Sequence, residues 1–181
     1  MSSNMRLTAL TKEQAVKALE WRTEQRDILR TPYFLTNEMQ ERFYDDVICD
    51  RNSRHRFYAV MHNDLFAGMA GLVNIEWENS TAEISLITSE SDKMDEIREL
   101  LFDEAFNRLN LHSVFGESYF VSEENLPTEM IEKYGAYTVW LPDRKYINGN
   151  YYSSLWYMIT RRMYEDSSII DRRKGAATEG G

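Results

Sequence analysis

Three histidines, one cysteine and thirty carboxylates carry most of the titratable chemistry of this 181-residue chain. His55, His62 and His112 lie far apart in sequence and at turn or element-end positions. No spacing among them matches a metal-ligand set, so surface histidines are expected and no metal is. Cys49 stands near Asp45, Asp46 and Asp50, whose negative charge raises a thiol's pKa rather than activating it. A lone cysteine excludes an internal disulfide framework and a cysteine-rich zinc site, and favours a reducing compartment. Glu90, Asp92, Asp95 and Glu96 cluster just ahead of an apolar helical stripe. Acids there suit the helix dipole, by about 0.3–1 kcal/mol each, and repel an anionic ligand. Only Lys93 opposes them.

Charge and composition narrow the function classes further. Twenty-one Lys and Arg against thirty Asp and Glu leave a net charge of −9, which disfavours binding along a phosphate backbone. Eleven tyrosines and eight phenylalanines suggest stacking on bases or sugars. Most of them fall at strand parity, however, so core and sheet-face packing is the expectation. Tyr146, Tyr151, Tyr152, Trp156 and Tyr157 crowd the last hairpin, where an exposed cluster would form a protein-partner or homodimer surface. No apolar run approaches the roughly 20 residues of a membrane span, and no charged-then-apolar leader opens the sequence. A cytoplasmic protein of one domain over residues 1–163 is expected, followed by a polar, flexible tail over 164–181 that ends Arg172-Arg173-Lys174-Gly175 to Gly181.

The elements that must position these groups alternate along the chain. A first strand is expected at Arg6–Leu10. Thr11 and Gln14 form a capping-box pattern that opens a helix running to about Leu29. Thr31-Pro32 breaks that helix. A second helix follows Thr36, with Met39, Phe43 and Val47 on one face. The period then becomes two, predicting strands at Arg56–Met61, Leu65–Trp77 and Ala82–Thr88, joined by turns too short for parallel crossovers. Ile97, Leu101, Ala105 and Leu109 mark an amphipathic helix. Val114–Val121 is a strand, Leu126–Tyr134 a helix stopped by Gly135, and Asn148-Gly149 the turn of a closing hairpin between Tyr137–Ile147 and Tyr151–Thr160. The helix between the strands at Ala82 and Val114 implies a parallel pair. The fold class is therefore α/β, a mixed and mostly antiparallel sheet with four helices.

This order, together with three segments, resembles the GNAT (N-acetyltransferase) superfamily and is closest to its branch of ribosomal-protein-alanine and amino-sugar acetyltransferases. The segments are Glu20-Trp21-Arg22 in the first helix, "GLVNIEWENSTAEISLI" from Gly71 to Ile87, and "FNRLNLHSVFGESYF", "EKYGA" and "KYINGNYYSSLWYMI" in order towards the C-terminus. The resemblance covers residues 6–160. It implies a V-shaped gap between the Ala82–Thr88 and Val114–Val121 strands that holds acetyl-CoA, with pantetheine against the backbone of Ile84, Leu86, Ile87 and Thr88. It also implies Lys93 near the pyrophosphate, Asn125 near the CoA, Glu83 as the base that deprotonates a primary amine, and Trp21 and Arg22 lining the acceptor pocket. The chain departs from the family in three places. The stretch Ser89–Glu96 lacks the glycines that let backbone N–H groups approach phosphate. Ile131 stands where many members have a tyrosine placed to protonate the leaving thiolate, and Ser153 follows the aromatic pair where an Asp is frequent. The resemblance thus supports a divergent acyltransferase moving acetyl from acetyl-CoA to a small-molecule or protein amine. The alternative is a catalytically inactive GNAT-fold protein, a pseudoenzyme serving as a protein-binding or structural subunit. Transfer to nucleic acid is set back by the net charge.

Overall fold

A computed structural model describes residues 4–30, 33–121 and 126–167. Among the described residues seven strands form one sheet in the order β1-β2-β3-β4-β5-β7-β6. They are β1 (Met5–Ala9), β2 (Arg56–His62), β3 (Leu65–Glu76), β4 (Thr81–Thr88), β5 (Ser113–Tyr119), β6 (Tyr137–Ile147) and β7 (Asn150–Thr160). Every neighbouring pair is antiparallel except β4 and β5. The parallel exception is the pair joined through a helix, α3 (Met94–Asp103), as the crossover requires. The expected mixed α/β fold is thus the observed one.

Alternation along the central strands assigns the two faces. Ala59, Met69 and Ile87 point to one side, where they bury Ala15 and Ala18 of α1 (Lys12–Glu24). Val60, Ala70 and Leu72 point to the other, into the main core with Ile97, Leu101 and Phe102 of α3. Met130 of α4 (Thr128–Tyr134) closes that layer, and Gly135 ends the helix in the left-handed conformation at φ 60°. The Asn148-Gly149 turn has φ of 48° and 88°, the two positive values that a tight hairpin turn matching the strand twist demands.

Four local outcomes differ from the sequence expectation. The Thr11 capping box forms as expected, but α1 stops at Glu24 and a 3-10 turn, Arg26–Ile28, replaces its last turns. The second helix, α2 (Asn37–Phe43), presents Met39 outward at 47% exposure and buries Gln40 instead. A single π turn over Tyr44–Ile48 extends it. Residues 161–167 form a fifth helix, α5, so the regular structure passes the expected boundary at 163. Tyr164 of α5 packs on Phe106, with ring centroids 5.1 Å apart. Thr31-Pro32 and the expected tail beyond 167 lie outside the described residues. At the closing hairpin Tyr146 and Tyr151 are exposed, whereas Tyr157 is buried and Trp156 stacks on Phe115. Among the described residues, no helix is long and apolar enough to cross a membrane.

Candidate active site

Strands β4 and β5 stay paired for three residues only, from Thr81↔Ser113 to Glu83↔Phe115. Beyond Glu83 they diverge, while β4 remains bonded to β3 through Thr88. Among the described residues no strand pairs with Ile84–Thr88 on the β5 side, so that edge offers backbone donors and acceptors to a ligand. A cavity of about 240 Å³ occupies the divergence, lined by Ile84, Leu86 and Ile87 from β4 and by Glu117, Ser118 and Tyr119 from β5. Met94 and Arg98 of α3 line it too.

Glu83 lies at the apex of this gap and is 8% exposed. Its carboxylate accepts two hydrogen bonds from the Arg30 guanidinium, one of them 3.2 Å long, and a third from Asn74 Nδ2 at 3.0 Å. Asn74 reaches it because β3 is irregular between Val73 and Glu76, where Asn74 takes φ 51°. Asn tolerates that left-handed conformation better than other non-glycine residues. The Asn74 backbone N–H in turn donates to His55 Nδ1 at 3.3 Å. Burial, then the charges of Arg54 and Arg56, lower the His55 pKa, which favours the neutral ring that can accept this bond.

A second carboxylate faces the same guanidinium. Glu117 lies 3.8 Å from Arg30, accepts from Ser154 Oγ at 2.6 Å and pairs with Arg144 at 3.0 Å. Burial alone would raise its pKa, but the bonds from Arg144 and Ser154 outweigh burial and hold it below the ordinary carboxylate value. Lys145, 7% exposed, donates to the Leu29 carbonyl, and Gln25 Nε2 donates to the Thr88 carbonyl. The segment Gln25–Arg30 is therefore tied to β4 through Thr88 and Glu83 and to β6 through Lys145, and Ile28, Leu29 and Arg30 wall the cavity. This explains why α1 ends early: the residues after Glu24 serve the gap rather than the helix.

The residues expected from sequence divide as follows. Glu83, Ile84, Leu86 and Ile87 come together in the gap, and Arg22 lines it as well. Thr88 is engaged internally, its hydroxyl donating to the Ala67 carbonyl and accepting from the Glu90 N–H. Lys93, at the N-cap of α3, is ion-paired with Glu96 in the first turn of that helix at 2.8 Å. Trp21 packs against Phe66 at 5.3 Å between ring centroids and lines neither the gap nor the cavity beside it. Asn125 lies outside the described residues. The acids before α3 have partners of their own: Glu90 meets His62 Nδ1 at 2.7 Å and Asp95 meets Arg98 at 2.5 Å. Tyr134, near Ile131, gives its hydroxyl to Glu99 and packs edge-on against Phe102, away from the gap.

Arg30, Asn74 and Glu117 line the gap although none of them was singled out from the sequence, and Tyr157 lines it although the sequence placed it only in the aromatic cluster of the last hairpin. Only Asn74 carried a local signal, an Asn inside an alternating strand pattern. Tyr157 lines the gap and lies against Gly116, where any Cβ would run into the phenol. Among the described residues no cluster of three His, Cys, Asp or Glu side chains could hold a metal ion.

No protein-family model matches the sequence, and no curated protein does. Solved structures do match in fold. The chain is similar to mutant forms of the spermidine/spermine N-acetyltransferase SpeG from Vibrio cholerae, at 22% identity and a TM-score of 0.72 over 91% of this chain and 98% of that one. It is also similar to spermidine N-acetyltransferase from Vibrio cholerae in complex with CoA and spermine, at 20% identity and a TM-score of 0.74 over 88% of this chain and 97% of that one. The molecule therefore has the fold of the GNAT acetyltransferases.

Proposed function

We propose that this protein transfers an acetyl group from acetyl-CoA to a primary amine. The observation that carries the reading is the break in pairing after Glu83, which leaves an open strand edge beside a cavity with a buried carboxylate on its wall. The fold shared with GNAT acetyltransferases and the CoA and spermine in one similar structure support it.

The residues present fit the extended arm of CoA, because Ile84, Leu86 and Ile87 line the gap along an edge that no strand covers among the described residues. Acetyl-CoA supplies an acetyl thioester whose C–S bond breaks as the N–C bond to the amine forms. Glu83 attracts the ammonium and accepts the proton it must shed. To do so it exchanges the Arg30 guanidinium for the substrate's cation. Asn74 holds the carboxylate in place during the exchange. Tyr157 is the proton donor for the departing sulfur. It lines the gap, and burial raises its pKa, so the phenol keeps its proton at neutral pH.

The test is release of free CoA thiol from acetyl-CoA with a panel of primary amines. The wild type is expected to turn over, and Glu83→Gln to lose about 10²–10⁴-fold in kcat, the span of general-base catalysis. Equal rates in both proteins would exclude Glu83 as the base. One observation favours the second reading, an inactive binding protein: Arg30 grips Glu83 in the position a substrate would need. That reading predicts no turnover with any amine.

A further inference from the structure

A second cavity, of about 310 Å³, lies on the α1 and α2 side of the sheet. Its wall includes Leu19, Leu35, Met39, Phe43, Phe57 and Met69. It shares Arg22, Ser85 and Ile87 with the gap. Glu83, Ser85 and Ile87 alternate along β4, so their side chains stand on one face, and each step of two residues advances about 6.6 Å. Glu83 and Ser85, which lines both cavities, are thus one such step apart along the strand.

The charges are arranged unevenly. The gap's lining carries Glu83 and Glu117 together with Arg22, Arg30 and Arg98, whereas among the described residues the second cavity has no acidic residue in its lining and one charged residue, the cationic Arg22, beside the neutral polar Tyr33, Gln40 and Ser85. A diamine or polyamine laid from Glu83 into this cavity would bring a second ammonium beside a guanidinium, in a mostly apolar lining whose other polar groups are neutral, and would desolvate it with no counter-charge. A hydrocarbon or aromatic tail fits the same walls without that cost.

We infer that the acceptor is a primary amine carrying a single positive charge and a compact apolar tail, the ammonium at Glu83 and the tail in the cavity between α1, α2 and β4. This rests on the acyltransferase reading for its chemistry, but the cavity's preference is separately measurable. Phe43 and Met39, placed on one helical face by the sequence pattern, here serve a ligand wall rather than the core. The composition of that wall sets this chain's expected acceptor apart from the spermine held by one similar structure.

The experiment compares hexylamine and phenethylamine with 1,4-diaminobutane and spermidine, by calorimetric binding to the protein without cofactor and by thiol release with acetyl-CoA. The apolar amines are expected to bind at least tenfold more tightly than the diamine. Met39→Glu, at an exposed position on α2 where folding is not at stake, is expected to narrow or reverse that ratio. Thermal unfolding verifies that the variant is folded. Tighter binding of the diamine, binding of no amine, or an unchanged ratio in Met39→Glu overturns the inference. Selective binding of hexylamine without any turnover upholds the cavity assignment and overturns the acyltransferase reading instead. Turnover that prefers spermidine does the reverse.

Discussion

Removing the Arg30 guanidinium should make the protein less stable and its amine affinity higher. Deleting one member of a buried ion pair costs about 3–5 kcal/mol. Here Glu83 is 11% exposed at the side chain but Arg30 is 52% exposed, so water screens the pair, and Asn74 keeps its bond to the carboxylate. Those two features reduce the expected loss for Arg30→Ala to about 1–2 kcal/mol. For a domain of this size that is a fall in Tm of about 2–8 °C. The same energy is what an incoming ammonium must displace. When a competitor occupies the site, apparent affinity falls with the fraction of open sites, so its removal should lower the KM for a primary amine by about 5–30-fold. Scanning calorimetry and initial rates of thiol release against amine concentration read the two effects on one preparation. A KM that stays put or rises while Tm falls would refute the exchange of guanidinium for substrate at Glu83.

Further outcomes rest on individual side chains. The pKa of Glu117 is held below its ordinary value, so its contribution to stability is present above about pH 4.5 and lost as pH falls through the folded value; Glu117→Gln should flatten the acid limb of Tm against pH. The His55 pKa is lowered on folding, so stability should fall as pH drops below about 6.5 until the folded ring protonates. In His55→Asn that slope should be absent, and a wild-type Tm constant between about pH 7 and pH 5 would contradict the assignment. Gly116→Ala places a methyl against the buried Tyr157 ring and should cost about 1–3 kcal/mol in denaturant unfolding, with kcat reduced because the phenol must move.

The parts of the structure legible in the sequence are those specified by neighbouring residues. Asn148-Gly149 announces its hairpin because both turn positions need positive φ, and Thr11 with Gln14 announces a helix start because the two side chains satisfy each other's backbone. Glu83 could be singled out as a candidate because its strand position and the glycine-started strand before it resemble a family pattern. Its surroundings could not. Arg30 is 53 residues from Glu83, and the bond that fixes its segment, Lys145 to Leu29, spans 116 residues; no local period encodes such meetings. The early end of α1 has the same origin, since helical propensity continues past Glu24 while Gln25 is drawn to the Thr88 carbonyl. On α2 Gln40 is buried and Met39 exposed, and the face that carries Met39 and Phe43 forms part of a cavity wall together with Gln40. The acids before α3 read as hostile to phosphate in isolation, yet Glu90, Asp95 and Glu96 each sit against a basic side chain.

Titration calorimetry with acetyl-CoA, at low and moderate salt, tests most directly whether the gap between β4 and β5 receives the extended arm of acetyl-CoA. Saturable binding in roughly the micromolar range is expected, weakening with salt as the phosphates are screened. No heat and no shift in Tm at millimolar acetyl-CoA would contradict it.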